Sequence, residues 1–143
     1  MSAVRVLVAT DQHCPVTALR HAAALAGRDG EVVLASVLVV PHAQPLEASL
    51  DLAVADACGV LDAGERAAAG AAVFDTRLLR ARSFAEGVLE LLAAERFDVL
   101  LVEAPRGGLR NGMRGQFDIL MDRAEATVIL VRPGPEARGT LSP

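Results

Sequence analysis

The chain has 143 residues, enough for one domain that buries roughly two-thirds of its unfolded surface. About half of it is apolar, chiefly Ala, Val and Leu, with four Phe and neither Trp nor Tyr, so the core is aliphatic and lacks the stacking platforms of single-strand nucleic-acid binders. A formal net charge of −4 argues against nucleic-acid and membrane-surface partners, and the absence of lysine excludes a P-loop lysine, a Schiff base and a receiver-domain lysine.

Residues 4–10 (VRVLVAT) form a nearly unbroken β-branched run, the mark of a strand covered on both faces. Asp11-Gln12-His13-Cys14-Pro15 ends it, and Pro15 suits the first turn of a helix. That helix carries Ala18, Leu19, Ala22, Leu25 and Ala26 as one apolar stripe, and Gly27 with Asp29-Gly30 stops it. Residues 31–40 (EVVLASVLVV) predict a second buried strand, closed by Pro41-His42.

A long helical pattern spans Pro45 to about Ala69, with Leu46, Leu50, Ala53, Ala57, Leu61 and Ala68 on its apolar side. Gly59 and Gly64 inside it each cost up to ~1 kcal/mol against Ala, which predicts a bend or weak point. Asp51, Asp56, Asp62 and Glu65 read as its solvated face. Residues 71–80 predict a third strand, interrupted by Asp75 and Arg77 and therefore an edge.

Ser83-Phe84-Ala85-Glu86 is a capping box opening a helix whose apolar face is Phe84, Val88, Leu91 and Leu92. Strand four is expected over 97–103, a short helix over 115–124, and strand five over 127–132. The domain is read as 1–133, with 134–143 a mobile tail that has little to bury. Strands and helices alternating at this spacing predict an α/β single-domain three-layer sandwich with a five-stranded parallel sheet. Right-handed crossovers make 3-2-1-4-5 the natural strand order. The loops after strands one and four then face each other across the switch point, where open α/β sheets place ligands.

Several motif readings compete at this rim. Gly107-x4-Gly112 is followed by Met113-Arg114 rather than Lys-Ser/Thr, so it is not a Walker loop, and no Gly-x-Gly-x-x-Gly fingerprint occurs. Asp11, His13, Cys14 and His42 end two neighbouring strands and offer carboxylate, imidazole and thiolate ligands for a transition metal, without tight ligand spacing. Cys14 at a helix N-terminus is also a candidate for a lowered thiol pKa. Cys58 and His21 read as ordinary flank residues. The run Thr127, Val128, Ile129, Leu130 and Val131 would be a bare apolar edge, and pairing with the same strand of a second copy satisfies it.

In order and spacing, VRVLVATD, ALRHAAALA, EVVLASV, SFAEGVLELLAAERFDVLLV, a glycine loop and ATVILVRP together resemble a universal stress protein domain over residues 4–132. The resemblance implies an adenine-nucleotide alpha-hydrolase-like fold, a homodimer through the last strand, and an ATP or AMP site. It implies that Asp11 and the Val37 strand position hold adenosine, and that a Gly-x2-Gly-x9-Gly-Ser/Thr loop cradles phosphates. The loop departs from that pattern: Glu103 stands at the first glycine position, Arg106 near the second beside Gly107 and Gly108, and Gly115 at the third, followed by Gln116 for the hydroxyl residue.

A carboxylate ~4 Å from a phosphate costs about 1 kcal/mol per charge pair in bulk water and about 4 at an effective dielectric of 20. Arg106, Arg110 and Arg114 read in three ways: as an offset to that charge, as partners of Glu103 itself, or as a solvated loop. The expectation is weak ATP binding in a cytoplasmic, dimeric stress-response or regulatory protein that is at most a very slow ATPase. A nucleotide-free module for an unknown protein partner is the alternative. A metal- or thiol-dependent hydrolase is a third reading, which needs His13, Cys14 and His42 to converge.

Overall fold

A computed structural model describes residues 3–11, 13–67, 73–104 and 111–133. In chain order the elements are β1 (Arg5–Thr10), α1 (Val16–Ala26), β2 (Glu31–Val39), α2 (Asp51–Ala67), β3 (Val73–Ala81), α3 (Phe84–Ala94), β4 (Val99–Glu103), α4 (Asn111–Arg123) and β5 (Thr127–Val131). The strands form one sheet of order β3-β2-β1-β4-β5, and every pair is parallel. The strand order expected from the sequence is therefore the one observed.

Period-two alternation divides the core into two layers. Leu7, Ala9, Val33, Ala35, Val37, Leu100 and Val102 face Phe84, Val88 and Leu91 of α3 and Leu120 of α4. Val6, Val8, Val32, Leu34 and Leu101 face Ala18, Leu19 and Ala22 of α1, with Leu61 of α2 packed alongside. Val6, Leu7, Val8 and Ala9 are all buried, as a central strand covered on both faces requires.

Four details differ from the sequence reading of the helices. Leu25 is 46% exposed, so the inward stripe of α1 narrows to Ala18, Leu19, Ala22 and Ala26. Helix α2 begins at Asp51, not near Pro45. The intervening carbonyls are held by arginines of the third strand and its end. Arg82 Nη1 donates to Pro41 O (2.6 Å) and Gln44 O (2.7 Å), and Arg80 Nη1 donates to Ala48 O (2.5 Å). Those bonds fix 41–50 as turns against β3, leaving Leu46 37% exposed rather than in a helix stripe.

Gly59 and Gly64 do not break α2, which runs continuously from Asp51 to Ala67. Gly64 is buried, and a Cβ there would collide with Leu34 Cδ2. Its missing side chain lets the helix settle on β2, a contact worth more than its helix propensity. Helix α4 starts at Asn111, four residues earlier than the glycine-based reading placed it.

The far rim of the sheet is pinned by charge. Arg77 grips Glu95 with two bonds of 2.9 Å, and Arg5 reaches both Glu95 (3.0 Å) and Glu31 (3.1 Å) while lying 4.5 Å over the Phe97 ring. Arg77 first, then Arg5, holds the Glu95 carboxyl down at about 2. This network ties β1, β2, β3 and the end of α3 together at the end of the sheet remote from the crevice.

Candidate functional site

The site grows from the carboxyl ends of β1 and β4. Thr10 Oγ1 donates to His13 O at 2.6 Å, which folds the chain back immediately after β1. The turn brings the His13 imidazole between two carboxylates: Nδ1 lies 3.9 Å from Asp11 Oδ1, and Nε2 lies 3.6 Å from Glu103 Oε2. Asp11 first and Glu103 second raise the His13 pKa to about 9, so the ring is an imidazolium at neutral pH.

Glu103 follows Val99 and Leu101 on the α1 face of β4 by strand alternation. Its side chain is 7% exposed, and Oε1 accepts the Ala18 N–H at 2.9 Å. Helix α1 needs that acceptor. Pro15 at its N-cap makes no side-chain cap bond, and the first turn carries no acidic residue. A carboxylate from another strand therefore satisfies an amide of the first turn and complements the helix dipole.

The pairing of His13 has a pH consequence. The folded-state pKa lies above the unfolded value of ~6.5, so the stabilisation is complete below that value and is lost as pH rises through about 9. The imidazole is 38% exposed, and solvent screening limits the effect to about 1 kcal/mol. Denaturant midpoints compared at about pH 6 and about pH 9.5 should show this loss in the natural protein and not in His13→Gln. An equal loss in both would remove the role given to His13.

Beside this cluster lies a cleft of about 680 Å³ between the ends of β1 and β2 and the inner face of α2. Asp11, His13 and Cys14 form one wall, Val37, Leu38 and Val39 the floor, and Ala53, Asp56, Ala57 and Val60 the opposite wall. Its size falls within the usual ~300–1,000 Å³ of small-molecule sites, and apolar surface with a few polar groups is their usual lining. Val37 turns its side chain to the α3 layer, where it packs against Gly87, so it presents only main chain to the cleft. A second cavity of about 40 Å³ shares Asp11 and His13 with the first and is closed by Thr10, Phe84, Glu103 and Met113.

Asp11 and Val37 both line this one cleft. Gly115 lies elsewhere, exposed in the second turn of α4, and a Cβ there would meet nothing within 4 Å. At that depth in the helix its N–H is directed to the carbonyl four residues earlier. Gln116 Oε1 accepts the Ala85 N–H at 2.8 Å, tying α4 to the first turn of α3. Ser83 Oγ accepts the Glu86 N–H at 3.2 Å, so one arm of the capping box forms. Arg106, Gly107, Gly108 and Arg110, together with the tail 134–143, lie outside the described residues.

Among the described residues no group of three or more His, Cys, Asp or Glu side chains is arranged to hold a metal, and His42 sits in an exposed loop rather than on the cleft. The Cys14 thiol is pushed up, by burial first and by Glu103 second, the reverse of the lowered pKa suggested by its place before a helix.

Two placements at the site escaped the sequence reading: Glu103 against α1 and Asp56 on the cleft. The contact of Glu103 with α1 was signalled by a lone acid ending an apolar strand (VLLVE) and by a helix starting at Pro15 without a cap of its own. Asp56 is exposed, as a solvated helix face requires, but it also lines the cleft.

No family model matches the chain, and no curated protein sequence matches it. Solved structures do. A universal stress protein from Archaeoglobus fulgidus is 14% identical, with a TM-score of 0.69 over 90% of this chain and 93% of that one. The universal stress protein UspA from Lactobacillus plantarum is 19% identical, with a TM-score of 0.66 over 92% and 99%. A universal stress protein in complex with cAMP is 18% identical, with a TM-score of 0.63 over 94% and 100%. These likenesses establish the fold: an α/β domain of the UspA-like type. Among the described residues no helix is long and apolar enough to cross a membrane.

Proposed function

We propose that this UspA-like domain is a non-catalytic binding protein of the stress-response or regulatory kind, with a cleft that takes the adenosine part of an adenine nucleotide. One observation carries the reading. Asp11 and the main chain of Val37 line a single cleft at the carboxyl ends of adjacent central strands, and that cleft is large enough for a nucleoside. The base would lie on the apolar floor against the Val37 backbone, and the Asp11 carboxylate would accept from the sugar. The universal stress protein solved with cAMP supports an adenine nucleotide as the ligand class.

The chemistry of the rim favours binding over catalysis. The imidazole is held as a cation between carboxylates, and the neighbouring thiol is raised, so neither is poised as base or nucleophile. The protein would act in the cytoplasm as a homodimer through β5. Among the described residues only β4 pairs with that strand, and Val128, Ile129 and Leu130 are half-buried there.

Titration calorimetry with adenosine tests the reading. The natural protein should bind, and Asp11→Ala should lose affinity by about tenfold or more, the ~1.5–3 kcal/mol of a hydrogen bond to a charged group. Saturable binding that is indifferent to Asp11→Ala would place the ligand elsewhere, and no binding would end the reading.

A further inference from the structure

We infer that Glu103 sets ligand specificity in this crevice, acting as a resident anion that selects the nucleoside over its phosphorylated forms. The inference rests on the adenosine reading of the cleft and names the ligand class that the same site prefers. At the head of α1 an anion is already in place: the carboxylate of the buried Glu103 holds the Ala18 N–H. A phosphate drawn to that helix end would have to displace a carboxylate supplied by the protein's own fourth strand.

The charge of the surroundings points the same way. Asp11 and Asp56 line the large cleft, and Glu103 lines the small cavity that opens on the same two residues, Asp11 and His13. Among the described residues on these two walls the only cation is His13, which already lies between Asp11 and Glu103. Even counting Arg66, which acts on the neighbouring Cys14, the balance among these described residues is negative. An uncharged ribonucleoside meets the Val37 main chain and the apolar Leu38 without charge penalty, whereas each added phosphate brings like charge towards Glu103.

The experiment measures adenosine, AMP and ATP against the full chain by titration calorimetry, first in the natural protein and then in Glu103→Gln. Gln keeps an oxygen for the Ala18 N–H and removes the charge. The natural protein should rank adenosine above AMP above ATP, with at least about tenfold between the extremes. In Glu103→Gln that gap should shrink to about threefold or less, mainly through tighter ATP binding. ATP binding as tightly as adenosine in the natural protein would overturn the inference while leaving the adenosine reading intact. A gap that survives in folded Glu103→Gln would also overturn it. Absence of binding by all three ligands would overturn the adenosine reading and this inference together. If Glu103→Gln fails to fold, the ranking in the natural protein decides by itself.

Discussion

Replacing Gly30 with Ala is expected to destabilise the protein by about 3 kcal/mol and lower its melting temperature by roughly 10 °C. The reason is steric, and the obstacle is backbone. A Cβ at Gly30 would run into the Ala26 carbonyl and lie 2.5 Å from Val4 O. Neither atom can rotate away as a side chain would. Ala26 ends α1, and Val4 O accepts the Glu31 N–H at 3.0 Å, next to the Arg5–Glu31 pair that starts the β1–β2 ladder. Relief of the clash would therefore pull the helix end from the sheet or disturb the register of the two central strands. Thermal melts of the two proteins check this. A change of less than about 1 kcal/mol would mean that the turn yields more readily than its packing implies.

The second large effect is expected at Phe84, where Phe84→Ala should cost about 3–5 kcal/mol. The ring is 4% exposed and belongs to the layer formed with Val37, Ala81, Val88 and Val102. Phe84 is the first residue of α3, anchored by the Ser83 cap and by the bond from Ala85 N–H to Gln116. These fixed bonds hinder the helix end from collapsing into the space left by the ring. The vacated volume would open the small cavity beside Glu103 and His13. Urea unfolding should show a lower midpoint with an unchanged slope. Phe84→Leu should recover about half of the loss, because most of the apolar volume returns. A cost below about 1 kcal/mol for the Ala variant would show that this end of α3 is not anchored as described.

The strand order could be read from the sequence because each central strand is a continuous apolar run and each crossover is long enough to carry a helix. The same logic placed β3 at an edge from Asp75 and Arg77, and both side chains do lie at that edge, where Arg77 pairs with Asp75 and Glu95. Helix α2 was harder. A helical period from Pro45 onward says nothing of Arg80 and Arg82, some thirty residues later, which take the carbonyls of 41, 44 and 48 as turns. Gly64 looked like a flaw for a related reason, since its value lies in the approach of Leu34 from another element.

The site divides along the same line. Asp11 and Val37 were named only through the family resemblance, and both line the same cleft. Glu103 was visible as a charge in the wrong place for a phosphate, but its partner was not. Its bond to Ala18 joins residues 85 positions apart, and only the fold brings the end of β4 to the start of α1. At Cys14 burial is the first cause that pushes the thiol up, with Glu103 adding to it, and a position before a helix reveals neither.

The most direct test of the account is a crystal structure grown with saturating adenosine. The account predicts the base between the Val37 backbone and α2, the sugar beside Asp11, and Glu103 still bonded to the Ala18 N–H. An empty cleft at saturation, or adenosine bound away from Asp11 and Val37, would contradict it.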